Sequence, residues 1–93
     1  MIINFEWNEA KHRENLRKHG IDFRDVRKVF EGDTLTSEDD RFPYPERRFV
    51  TIGLLEGRVV IVIHTEMACT IRIISTRKAT RNEQEAYFKH FAN

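Results

Sequence analysis

Apolar and polar positions alternate loosely from Ile2 to Trp7, with Ile3, Phe5 and Trp7 on one side, which predicts a short opening strand. Asn8 follows as a good helix N-cap, with Glu9 in the first turn. The predicted helix runs to about His19 and is strongly polar, Ala10 and Leu16 being its only apolar residues. Gly20 supplies its stop. With Gly20 at C′, Leu16 and Ile21 take the two contacting positions of a Schellman motif. Asp22 is placed to cap a second helix, in which Ile21 and Val26 form a hydrophobic staple. That helix buries Phe23, Val26, Val29 and Phe30 and ends at Gly32.

Asp33–Asp40 predicts a short edge strand guarded by charge. Arg41–Pro45 holds both prolines and predicts a loop. Glu46–Leu55 alternates as a strand, with Val50, Ile52 and Leu54 sharing a face with Glu46 and Arg48, and Phe49 as the exception. Glu56-Gly57 predicts a tight hairpin turn. Val59–Ile63 is continuously apolar, the pattern of a central strand covered on both faces. Glu66–Cys69 reads as a second turn, and Ile71–Thr76 as a strand antiparallel to the last. Thr80 and Glu83 have capping-box spacing before a helix over Arg81–Phe91, whose Tyr87, Phe88 and Phe91 share a face. The expectation is one α+β domain over residues 1–93: two N-terminal helices, an antiparallel meander and a C-terminal helix.

The formal charge of +1 points to no partner class, but its distribution is uneven. Glu31–Asp40 carries five acids and no base; Arg72–Arg81 carries four bases and no acid. The single cysteine, Cys69, allows no internal disulfide and fits a reducing cytoplasm. The first residues have neither the basic start nor the apolar run of a signal peptide, and no run is long enough to span a bilayer.

The basic stretch lies where a strand end runs into a helix N-terminus, which offers positive potential and free N–H donors. Arg72, Arg77 and Lys78 therefore form a candidate phosphate site. On a regular strand Arg72 and Lys78 share a face and Arg77 points away. Convergence requires the strand to bend or end before Arg77, which is expected because Thr80 already caps a helix. Other roles are open to the same residues. Arg72 can pair with a carboxylate such as Glu46, Lys18 and His19 can serve the end of a helix dipole, and Tyr87 and Trp7 can be core. No metal site is expected: His12 and His19 lie seven residues apart, roughly 10 Å along a helix. Cys69 has no basic partner, and the four glycines are scattered singly.

Several segments together resemble the BrnT family, the toxin half of a bacterial type II toxin–antitoxin pair. They are Phe5-Glu-Trp7 with Asn8-Glu-Ala-Lys11, Asn15-Leu-Arg-Lys-His-Gly20, Asp22-Phe23 and Val29-Phe30. Glu46, Arg48-Phe49, Ile52-Gly53, the run Ile71-Arg-Ile-Ile-Ser-Thr-Arg-Lys-Ala79, Glu83 and Tyr87 complete the match. The resemblance implies a RelE-like fold and a cofactor-free ribonuclease that arrests translation. It implies a ribbon-helix-helix antitoxin of the BrnA kind as partner, in a 2:2 complex that touches operator DNA only through the antitoxin. Metal-independent RNA cleavage needs the 2′-OH deprotonated, the phosphorane charge stabilised and the 5′-oxygen protonated. The residues available are Arg72, Arg77 and Lys78 for charge, Glu46 or Lys18 as base, and His19 or Tyr87 as acid. Arg48, Arg81 and Trp7 are candidate RNA contacts. One departure stands out: Thr65-Glu66-Met67-Ala68 replaces a family turn that often reads Thr-Glu-Arg-Gly. The missing cation favours a second expectation, a binding module without catalysis that acts as corepressor with its partner.

Overall fold

The apolar run Val59–Ile63 lies in the middle strand of a five-stranded sheet. The structure, a computed structural model, describes residues 2–92, so Met1 and Asn93 of the expected domain lie outside the described residues. Its elements are β1 (Asn4–Trp7), α1 (Glu9–His19), a 3-10 turn (Phe23–Asp25), α2 (Arg27–Phe30), β2 (Leu35–Asp39), β3 (Arg48–Leu55), β4 (Arg58–Met67), β5 (Thr70–Lys78) and α3 (Arg81–Phe91). The strand order is β1-β5-β4-β3-β2. Strands β2 to β5 form the predicted antiparallel meander. β1 corrects the expectation of a purely antiparallel sheet, because it joins the outer side of β5 in parallel.

The sheet is covered on both faces. On one face α1, the 3-10 turn and α2 bury Phe23, Val26 and Val29 against Val60, Val62, Ile71 and Ile73. On the other, Tyr87 of α3 packs on Val59, Ile61 and Ala79. Val59 to Val62 are therefore all buried, which is why the strand shows no alternation. The same two-sided cover explains Phe49. It faces the α1 side and stacks on His64, while Val50 and Ile52 face α3, so both sets are apolar.

The second helix is not one continuous α-helix. Asp22 caps the 3-10 turn, accepting from the Arg24 N–H at 2.8 Å, and one α turn follows. Phe23, Val26 and Val29 recur every three residues, and three residues per turn places them in one line. At the end of α1, Gly20 takes φ 68° and donates to the Leu16 carbonyl at 2.9 Å. That single bond is the αL cap rather than the Schellman pair, and Leu16 is left exposed.

The hairpin turn places Glu56 and Gly57 at φ 51° and 83°, the positive pair that follows the twist of the flanking strands. At the next turn Ala68 holds φ 52°.

Candidate functional site

β1 pairs only with Thr70–Ile73, so the outer edge of β5 is open from Ser75 onward. α1 lies along that edge. The buried Asn15 side chain accepts the Thr76 N–H at 3.0 Å and donates to the Ile21 carbonyl at 3.2 Å. One amide thus satisfies an edge donor and ties the helix to the corner behind it. This brings the end of α1 beside the end of β5, where Lys18, His19, Arg77, Lys78 and Thr80 border a groove of about 490 Å³. Lys18 pairs with Glu14 at 3.3 Å and Arg77 with Glu83 at 2.8 Å. Lys78 and the exposed His19 have no carboxylate partner among the described residues. The N-terminus of α3, capped by Thr80, adds its partial positive charge.

A bulge reverses the expected facing of the cations. Ile73 pairs with His64 and Ser75 with the adjacent Ile63, which leaves Ile74 as an extra residue in β5. The strand neither bends away nor ends before Arg77; Arg77 pairs with Ile61 and Lys78 with Val60. Beyond the bulge the alternation changes sign. Arg72 and Arg77 stand on the α3 face, and Lys78 faces the α1 side. Arg72 and Arg77 lie opposite Thr65 and Ile61, four residues apart in β4, hence about 13 Å from each other. The groove bordered by Lys78 and Arg77 wraps around the open edge rather than lying on one face.

Arg72 borders a second groove of about 700 Å³ with Glu6, Glu46, Arg47, Glu66 and Met67. It pairs with Glu6 at 3.4 Å, across the parallel strands, and not with Glu46. Glu46 pairs with Arg48 at 3.5 Å, and the Arg48 guanidinium lies 4.1 Å above the Tyr44 ring. Charges of both signs line this groove, whereas the groove at the end of β5 is lined by cations and an imidazole.

Tyr87 reaches neither groove. It is buried, donates its hydroxyl to the Asp33 carbonyl at 2.7 Å and has its pKa raised by burial. Tyr87 and Phe91 of α3 cover the sheet, but Phe88, expected on the same face, is exposed, because successive residues of a helix stand about 100° apart. Trp7 is half-buried, edge-on to Phe23, and donates its indole N–H to Glu9 at 3.3 Å. Arg81 extends into solvent and pairs with Glu85 at 3.3 Å. Cys69 is half-buried in its turn. Among the described residues no three His, Cys, Asp or Glu side chains cluster as metal ligands, and no helix is long and apolar enough to cross a membrane.

Two residues near the first groove carry more than their sequence signal. Glu83 closes the predicted capping box, accepting the Thr80 N–H at 2.8 Å, and also grips Arg77 through both oxygens. Those contacts, Arg77 first, hold its carboxyl at about 2. An arginine six residues before the capping glutamate was the available clue. Arg41, in the proline loop, lies near enough to Arg77 to oppose its charge, although Asp39 holds it at 2.8 Å.

A family model described as "Ribonuclease toxin, BrnT, of type II toxin-antitoxin system" matches residues 7–83. The crystal structure of the Brucella abortus ribonuclease toxin BrnT is similar at 28% identity and a TM-score of 0.65, over 85% of this chain and 99% of that one. No curated protein matches the chain. The matched span includes all of β5 and the residues of both grooves except Glu6, and the chain belongs to the BrnT family of ribonuclease toxins of type II toxin–antitoxin systems.

Proposed function

We propose that this chain is an active endoribonuclease that cuts RNA without a metal ion, at the groove bordered by Lys18, His19, Arg77 and Lys78. The observation that carries the reading is the meeting of these four side chains, from two distant segments, at the N-terminus of α3. Cations and helix dipole there suit a phosphodiester and the extra charge of its phosphorane. His19, the only imidazole at the groove, takes the proton of the 2′-OH. The 2′-oxygen attacks phosphorus, the bond to the 5′-oxygen breaks, and that oxygen receives its proton from the imidazolium. The products are a 2′,3′-cyclic phosphate and a 5′-hydroxyl. Arg77, Lys78 and Lys18 meet the phosphoryl oxygens. Arg72, with Arg48 and Glu46 beside it, serves a neighbouring stretch of the strand, and Arg81 and Trp7 are further from the chemistry.

The fold is proposed to be of the RelE kind, and the chain to act in the cytoplasm by arresting translation. Its partner is proposed to be a ribbon-helix-helix antitoxin like BrnA, bound 2:2, that covers the basic groove with acidic and apolar side chains. The antitoxin alone reads operator DNA. Incubating the purified chain with total RNA, with and without partner, tests the reading. Cleavage that survives EDTA and is relieved by the partner supports it. A folded chain that cuts nothing supports the second reading, a corepressor without catalysis. That reading is favoured by Met67, an exposed apolar side chain at the Arg72 groove, where the family resemblance leads one to expect arginine.

A further inference from the structure

Arg77 is held differently from the other arginines that grip a carboxylate with two nitrogens. Arg17, Arg24, Arg41 and Arg47 each use Nε and Nη2, the side edge of the guanidinium, for Glu14, Asp22, Asp39 and Glu38. Arg77 uses its end. Nη1 donates to Glu83 Oε1 at 2.8 Å and to the Lys78 carbonyl at 3.2 Å, and Nη2 donates to Glu83 Oε2 at 3.0 Å. Of its five N–H groups, the one on Nε and the second on Nη2 remain without a partner among the described residues. These two lie side by side and parallel, the geometry that fits two oxygens of one phosphate.

Glu83 is itself immobilised. Its Oε1 accepts the Thr80 N–H at 2.8 Å, and its own N–H donates to Thr80 Oγ1 at 3.2 Å. The helix N-terminus fixes the carboxylate, and the carboxylate fixes the guanidinium. The carboxylate also faces the positive end of α3, and Lys78, which has no carboxylate partner among the described residues, adds a cation to the surroundings.

We propose that Glu83 is a positioning residue: by holding the end of Arg77, it keeps the Nε–Nη2 edge open as a two-point seat for one phosphate of the RNA strand. This rests on the groove's proposed role in handling RNA. It also sets Glu83 apart from an inhibitory carboxylate that substrate must displace, because the two roles predict opposite effects when the charge is removed.

The test uses the full chain, with inorganic phosphate and an uncleavable 2′-O-methyl RNA as probes. In the wild type, the Nε–Hε proton resonance of Arg77 should move on titration with either probe. Those of Arg24 and Arg41, already engaged, should not. Glu83→Gln retains a residue that closes a capping box, and should weaken binding of the probes about tenfold while leaving the fold in place. It should lower single-turnover cleavage by a similar factor, and Arg77→Lys, which keeps the charge but lacks the fork, should do no better. Equal or tighter binding by Glu83→Gln, with Arg77→Ala still impaired, overturns the positioning role and leaves the groove standing. An Arg77 resonance that stays still, with Arg77→Ala binding normally, overturns both.

Discussion

Arg72 and Arg77 stand on the same face of β5 although they are five positions apart, because Ile74 bulges out of the pairing with β4. About 13 Å of strand separates them, too far for one phosphate. They therefore belong to two grooves, and their contributions are expected to be independent. Arg72→Ala and Arg77→Ala should each reduce RNA affinity, and the double variant should show the sum of the two free-energy changes to within about 0.5 kcal/mol. Binding of uncleavable RNA by the four proteins of the cycle measures this. Strong coupling would mean that the two guanidinium groups share a ligand.

Gly53 of β3 lies against Val29 of α2. A Cβ there would stand 2.6 Å from Val29 Cγ1 and 3.2 Å from Thr34 Cγ2, and Val29 is fully buried. Gly53→Ala should destabilise the domain by about 1–3 kcal/mol through overpacking, seen as a lowered midpoint in urea with an unchanged slope.

His64 is completely buried between Phe49 and Phe30, with Nε2 at 2.7 Å from Thr51 Oγ1 and the next hydroxyl, Thr36, 2.8 Å further on. Burial pushes its pKa below the ordinary 6.5. The unfolded chain then takes up a proton that the folded chain refuses, so stability should fall as pH drops through 6.5 and level off above it. The slope is up to about 1.4 kcal/mol per pH unit. His64→Gln should flatten it in urea titrations between pH 7 and 5.5. An unchanged slope would place that proton elsewhere.

Glu83 acts in a lower window. Its folded pKa of about 2 lies below the ordinary 4.5, chiefly because Arg77 donates to it. Its contribution is fully present above pH 4.5 and is lost as pH falls toward 2, when the carboxyl is protonated in the native state too. The pair is partly exposed, and screening limits its worth to about 1 kcal/mol. Acid unfolding of Glu83→Gln should be correspondingly less steep between pH 4.5 and 2.

Much of this was legible beforehand. Alternation and capping residues foretold β2 to β5, the Asn8 and Thr80 caps, the Gly20 stop and the buried β4. The parallel placement of β1 was hidden, because four residues of strand carry no mark of which edge they join. The split of the second helix was present in the three-residue spacing of Phe23, Val26 and Val29, which looks like an α pattern until geometry is imposed. Ile73-Ile74, two apolar residues in succession within an alternating strand, was the trace of the bulge. A regular strand would set Arg72 and Lys78 on one face; with the bulge, Arg72 shares its face with Arg77. The meeting of Lys18 and His19 with Arg77 and Lys78 was foreshadowed only by family resemblance. It depends on Asn15 docking α1 against a strand some sixty residues away, and local pattern does not encode such a contact.

The central claim is that the groove at the end of β5 cuts RNA with side chains alone. Single-turnover cleavage of RNA in EDTA, comparing the wild type with Arg77→Ala, tests it most directly. The wild type should cleave at an undiminished rate and leave 2′,3′-cyclic phosphate ends, while Arg77→Ala should be slower by about 100-fold or more with its fold intact. Cleavage by Arg77→Ala at the wild-type rate, or wild-type cleavage abolished by EDTA, would contradict the account.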